Sequence, residues 1–184
     1  IRHGFPWVYA DELVLDRRTT ALAPGTIARL EDAERRPLGT AALTPASRIP
    51  ARLLDRDPEA VIDRAWLAAR IARAHALRER LYPAPFYRLV HAEGDGLPGL
   101  VIDRFGDAAV VQPNAAWADR LLGEIVAALI EVTGVRTVVK NGQGRARAAE
   151  GLPQETVMLQ GAAEAPVAVA MNGATYMADL TGGQ

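Results

Sequence analysis

The stretch AEGDGLPGLVIDRFGD, residues 92–107, sets four acids and four glycines among sixteen residues. It has three readings: a metal loop, a phosphate cradle or a turn between strands. A calcium loop needs oxygen ligands at alternating positions and a late bidentate acid, and the apolar Leu97-Pro98-Gly99-Leu100 run breaks that rhythm. A phosphate cradle needs glycines that lead into a helix N-terminus, whereas these lead into the β-branched run LVIDRF. Asp95-Gly96 between two strand-like runs is a hairpin signal, because both residues tolerate positive φ. A plain two-residue turn has no need of Leu97-Pro98-Gly99, so the loop is expected to have a shape of its own. Glu93, Asp95, Asp103 and Asp107 are candidates for acid–base chemistry, but no histidine or nucleophile is paired with them in the sequence, and solvated turn acids are the plainer reading.

Working outward, FYRLVHAE, GLVIDRF and AAVVQPN read as three β segments around this loop. Before them the period changes to helical from Asp63, with Leu67, Ile71, Ala74, Arg78 and Leu81 on one face, Asp63 as the cap, and Pro83 and Pro85 beyond the end. After them Asn114 is expected to cap a second helix carrying Trp117, Leu121, Ile125, Leu129 and Val132, which Gly134 ends. RTVVKN reads as a strand, GQGRARAAEGLP as an irregular loop, and APVAVAMNG with ATYMADL as a terminal hairpin. At the other end, WVYADELVL, GTIARLED, RPLGTAAL and SRIPARLLD read as short strands of a small barrel or sandwich, with EDAERRP as a hairpin tip. DRDPEA, residues 55–60, reads as a linker.

Composition narrows the chemistry. Of 184 residues, 49% are hydrophobic and 23% charged, enough for a real core in one or two modest domains. Charge interrupts every apolar run before the roughly 18 residues a membrane span requires, and the opening IRHGFPWVYADEL lacks a signal peptide's apolar segment. The expectation is a cytoplasmic protein. With no cysteine there is neither a disulfide framework nor a thiolate, and His3, His75 and His91 show no metal-ligand spacing. Residues 1–80 hold 14 arginines against 11 acids, and the remainder is net acidic, so the basic end is the better candidate for a polyanion. Lys140 is the one lysine. The preference for arginine fits phosphate gripping, and fits coding bias equally well.

NGQGRARAAEG, residues 141–151, combines flexible glycines with Arg145 and Arg147, which is either a phosphate clamp or a solvated loop. Arg64, Arg70, Arg73, Arg78 and Arg80 on the first helix read as an ordinary exposed face more readily than as a basic patch. Trp7, Tyr9, Trp66, Phe86 and Tyr87 are potential base-stacking groups, though aromatics at such positions more often pack in a core.

Taken together, several segments resemble the S-adenosylmethionine-dependent large-subunit rRNA methyltransferases of the cytosine-5 type, which carry an N-terminal PUA domain. GFPWVYADEL is similar to that family's opening, LTPASRIPARLL to the last strands of its PUA barrel, and YRLVHAEGDGLPGLVIDRFGD to its most recognisable signature. AAEGLP and NGATYMADLTGGQ follow in the expected order. Phe5 stands where the family usually has His, and Met171 where an acid is common before Asn-Gly.

The resemblance implies an α+β fold: a PUA-like small β-barrel at 1–60, a mixed α/β domain of strands, helix and strands at 61–165, and at 166–184 the start of a Rossmann-like methyltransferase domain that is otherwise missing. It implies S-adenosylmethionine as the cofactor of the full-length protein, bound outside these residues, and large-subunit ribosomal RNA as the partner, with no membrane. The chain starts at Ile1 and stops at ADLTGGQ, and the expectation is an N-terminal fragment that is inactive alone, since the family's chemistry uses a cysteine thiolate. RNA-contact candidates are Arg48 and Arg52 beside Ser47, with Arg145 and Arg147. Glu93, Asp95, Gly96, Pro98 and Gly99 are the candidate substrate-cleft loop. A non-enzymatic RNA-binding adaptor and a protein-interaction module using an open sheet edge near 174–180 stand as alternatives. The oligomeric state stays open, a homodimer included.

Overall fold

A computed structural model of the chain describes residues 4–162, 166–171 and 173–182. His3, and the Gly183-Gln184 end of the closing motif, lie outside the described residues. Strands β1 (Trp7–Val8), β2 (Thr26–Glu31), β3 (Pro37–Leu43) and β4 (Ala51–Asp55) form an antiparallel sheet in the order β1-β4-β3-β2. Among the described residues β1 and β2 are its unpaired edges, so the ladder is an open sheet where a small barrel was expected. Asp32 shapes the hairpin tip between β2 and β3, accepting from the backbone N–H groups of Arg36 and Glu34 at 2.9 and 3.0 Å. The Arg36 backbone bond leads the effects that hold the Asp32 carboxyl down at about 2.

The expected strand WVYADELVL stops at Val8. Acids beyond that point bond locally: Glu12 accepts from the Tyr9 N–H at 2.9 Å, closing a 3-10 turn, and Asp16 accepts from the Thr19 N–H at 2.7 Å to cap α1 (Arg17–Thr20).

Helix α2 (Arg64–Leu81) follows its periodicity, with the Asp63 carboxylate accepting from the Trp66 N–H at 2.9 Å and Leu67, Ile71 and Ala74 buried. Beyond it come β5 (Phe86–His91), β6 (Leu100–Phe105), β7 (Ala108–Pro113), α3 (Ala116–Arg120), α4 (Leu122–Thr133), β8 (Thr137–Asn141), α5 (Arg145–Ala149) and β9 (Thr156–Gln160). The strands lie in the order β5-β6-β7-β8-β9, antiparallel except for β7 and β8, which α3 and α4 connect. Two expectations are corrected. The second helix is broken at Leu121 into α3 and α4 and begins beyond Ala115, which offers no side-chain cap, so Asn114 is not its cap. The expected loop at 142–153 contains α5.

Strand alternation sorts the core. Leu100, Ile102, Ala109, Val111 and Val138 join Leu67, Ile71, Ile125, Ala128 and Leu129 of α2 and α4 in one cluster. Ala108, Val110 and Val139 form a separate cluster with Leu180, against which Val167 and Ala178 pack. Those last two belong to the expected hairpin, β10 (Val167–Met171) and β11 (Ala174–Ala178). Tyr176 and Met177 on β11 are exposed.

The small sheet contributes Ala42 and Leu54 to the main cluster, so apolar packing crosses residue 60. The supposed linker is packed as well: Thr40 Oγ1 donates to the Asp57 carbonyl at 2.9 Å, and Ile62 is buried. Asp55 accepts from Trp66 Nε1 at 2.7 Å and Arg70 at 2.8 Å, while the Arg70 guanidinium lies 4.7 Å from the Trp66 ring centre. Burial alone would raise the Asp55 pKa, but the bonds from Trp66, Asp57 and Arg70 outweigh it and the net shift is downward. No helix among the described residues is long and apolar enough to cross a membrane.

His75 on α2 brings a pH dependence. Its Nε2 lies 2.7 Å from Arg104 Nη1, which can only donate, so the contact is made by the neutral tautomer in which Nε2 accepts. Burial leads in pushing its pKa below the ordinary 6.5; Arg104 adds to this, and Glu79 at 3.3 Å opposes it. Tyr87, whose hydroxyl also faces Arg104, completes the cluster. A depressed histidine pKa means the unfolded chain binds the extra proton first. The His75 contribution is therefore full above about pH 6.5 and lost as pH falls toward the folded pKa. Urea melts at pH 7.5 and 5.5 should show a smaller loss for His75→Gln than for the parent; equal losses would refute this.

Candidate nucleic-acid interface

The loop at 92–99 is built differently from a two-residue hairpin. Residues 92–95 make a 3-10 turn that Gly96 closes at φ +72°, and the positive φ values of the loop fall at Ala92, Gly96 and Gly99 and not at Asp95. Asp95 is buried, correcting the expectation of a solvated turn acid. Its two oxygens accept from Arg78 Nη1 and Nη2, each at 2.7 Å, and one also accepts from the His91 N–H at 2.6 Å. Arg73 donates to the Asp95 carbonyl at 3.2 Å. On the α3 side, Trp117 Nε1 donates to the Pro98 carbonyl at 2.8 Å, and Gly99, at φ +79°, leaves no room for a Cβ, which would lie 2.6 Å from that of Ala115. Glu93 accepts from Trp7 Nε1 at 2.9 Å and so reaches β1. All five loop candidates thus lie in one braced junction between the two sheets and α2.

The proposed RNA-contact residues separate into two groups. Glu150, buried at the end of α5, accepts from Ser47 Oγ and pairs with Arg52, both at 2.9 Å. It also accepts from the Ala116 N–H at 3.4 Å. Arg147 is 0% exposed. It donates to the carbonyls of Pro113 and Pro153 and to Asp119 at 2.7–3.0 Å, which corrects its reading as a phosphate clamp. Lys140, also buried, lies 3.3 Å from the same Asp119 and 3.0 Å from Glu155. Arg48 and Arg145 are exposed and have no side-chain partner among the described residues. The other exposed arginines whose side chains have no partner of any kind among the described residues are Arg17, Arg18, Arg35 and Arg56 in the first sixty residues and Arg80 beyond them, while Arg73 and Arg120 reach only backbone carbonyls. Free positive charge therefore leans toward the small sheet.

The helix arginines named in the sequence are mostly engaged: Arg64 pairs with Glu131, Arg70 with Asp55 and Arg78 with Asp95. Of the aromatics, Tyr87 is buried, and Trp66 and Phe86 are partly buried. Tyr9 is 42% exposed, and Phe5, which the sequence reading left out of the stacking set, is 50% exposed. The signal that would have found it is the alternation of rings at 5, 7 and 9, one face of an extended segment. A groove of about 600 Å³ beside β1 is lined by apolar Val8, Leu13, Val14, Leu30 and Leu38, with Glu12, Glu31 and Asp32 also in its wall, an acidic setting unsuited to phosphate.

These elements make an α+β fold whose N-terminal sheet is PUA-like: residues 1–56 match the family described as PUA-like domain. Over 150 residues, 79% of this chain, the sequence is 39% identical to 38% of the ribosomal RNA large subunit methyltransferase I of Shewanella amazonensis. The fold is shared with a proposed SAM-dependent methyltransferase from Streptococcus mutans, at TM-score 0.79 and 19% identity over 99% of this chain and 46% of that one. It is shared too with a proposed methyltransferase complexed with SAH, at TM-score 0.78 and 18% identity over 100% of this chain and 46% of that one. The chain spans less than half the length of the curated relatives it matches.

Proposed function

We propose that this chain is the RNA-recognition portion of a SAM-dependent methyltransferase acting on large-subunit ribosomal RNA at cytosine carbon 5, in the cytoplasm. The observation that carries the reading is the sequence similarity to large subunit methyltransferase I, which in one relative extends over the whole chain. In this division, 1–60 is the PUA-like unit, 61–165 the central α/β unit, and 166–184 the lead into the catalytic domain. The braced loop at 92–99 shapes the substrate cleft, and Arg48 and Arg145 meet RNA phosphates.

The one strand-to-helix glycine turn among the described residues does not fit the cofactor. The glycine-containing turn after β8 leads only into the five-residue α5, and Gly142 is consumed by close packing, since a Cβ there would lie 2.3 Å from the Glu155 carbonyl oxygen. In this reading S-adenosylmethionine is held elsewhere in the longer protein. The 184 residues contain no cysteine, so a thiolate attack on the base also comes from outside them.

Transfer of labelled methyl groups from S-adenosylmethionine to large-subunit rRNA by the longer protein, with the product nucleoside analysed, tests the reading. 5-Methylcytosine is expected. Binding of the rRNA without transfer would favour the adaptor reading. Binding of protein alone, through β11 with its exposed Tyr176 and Met177, would favour the interaction module. Arg48→Ala should weaken rRNA binding and lower the log–log salt slope by about 1. An unchanged slope would remove Arg48 from the interface.

A further inference from the structure

The aromatic run beside β1 remains unused by the reading above. Phe5, Trp7 and Tyr9 recur at every second residue, about 6.6 Å apart along an extended chain, and Leu53 N–H donates to the Pro6 carbonyl at 2.7 Å, holding the segment against β4. The rings touch in sequence, with Phe5 and Trp7 centroids 5.2 Å apart at 68° and Trp7 and Tyr9 centroids 6.4 Å apart at 84°. Glu93 fixes the central indole, while the outer rings stand half exposed.

Arginines flank both ends. A Cβ on Gly4 would lie 3.9 Å from Arg56 Nη2, which puts that guanidinium at the Phe5 end, and Arg48 lines the same hollow as Tyr9. Both arginines are exposed and lack a side-chain partner among the described residues. Asp11 and Glu12 share the Tyr9 hollow. The acids disfavour dense phosphate there and leave the rings and the single guanidinium as the contacts.

We infer that Phe5 and Tyr9, braced by Trp7, form a stacking platform for unpaired bases of RNA, with Arg48 and Arg56 taking the flanking phosphates. This rests on the RNA-recognition reading and adds to it the strandedness of the RNA and the residues that take its bases. Base faces stack on aromatic rings whatever their sequence, whereas a duplex keeps its bases stacked on one another. The platform therefore selects single-stranded segments.

The test is binding of the chain to a labelled unpaired RNA octamer and to the same octamer in a duplex, followed by fluorescence anisotropy. The parent should prefer the unpaired form. Phe5→Ala and Tyr9→Ala should each weaken it about tenfold with the salt slope unchanged, Tyr9→Phe should retain affinity, and Arg48→Ala should lower the slope for both RNAs. Phe5→Leu and Tyr9→Leu serve if an alanine variant fails to fold. Equal binding by parent and ring variants, or no preference for the unpaired form, overturns the platform while RNA recognition stands. No binding of either RNA overturns both.

Discussion

Asp95→Asn is expected to destabilise the chain by about 3–5 kcal/mol, the usual cost of breaking a buried ion pair by removing one partner. The substitution preserves shape, removes the charge and replaces one acceptor oxygen with an NH₂ donor. Arg78, whose side chain is 12% exposed, then keeps a guanidinium aimed at a neutral amide. The amide must also turn an NH₂ toward donors on Arg78 or the His91 backbone. Asp107→Asn is the control: its pair with Arg136 is 67% and 80% exposed, and its loss should cost about 1 kcal/mol or less. Urea denaturation of the two variants checks the contrast. Similar midpoints would mean that Asp95 does not anchor the junction.

Arg147→Met is expected to have a comparable but local effect, about 3 kcal/mol. Asp119 retains Lys140, yet the carbonyls of buried Pro113 and of Pro153 lose the donors that join β7 to the segment after α5. Arg147→Lys should rescue little, because one ammonium cannot reproduce the planar fork that reaches both carbonyls and the carboxylate. Hydrogen exchange should rise across residues 141–160 and stay near parent values in α2. A uniform rise, or none, would contradict the local role.

These two residues mark where sequence reasoning stops. The helical period of Leu67, Ile71 and Ala74 is local information, and so are the short apolar runs between turn signals that mark β2, β3, β7 and the β10–β11 hairpin; all are legible. Asp95-Gly96 carries a strong local turn signal, but Arg78, seventeen residues earlier, decides the fate of that aspartate. Arg147 lies in a short polar stretch and follows no apolar period, so its complete burial has no pattern to announce it. Ser47 and Arg52 are consumed by Glu150, about a hundred residues away. Within the candidate interface, Arg48 was legible because no distant acid claims it. Phe5 was legible only through the alternation of rings at 5, 7 and 9, because its half-exposure is set by the fold and not by its neighbours in sequence.

The central claim, RNA recognition by these 184 residues, is tested most directly by equilibrium binding of the chain to large-subunit rRNA across a series of salt concentrations. The account predicts binding that weakens linearly in log K against log salt, with a slope that falls when Arg48 is removed. Absence of binding at low salt, or an affinity indifferent to salt and to Arg48→Ala, would contradict it.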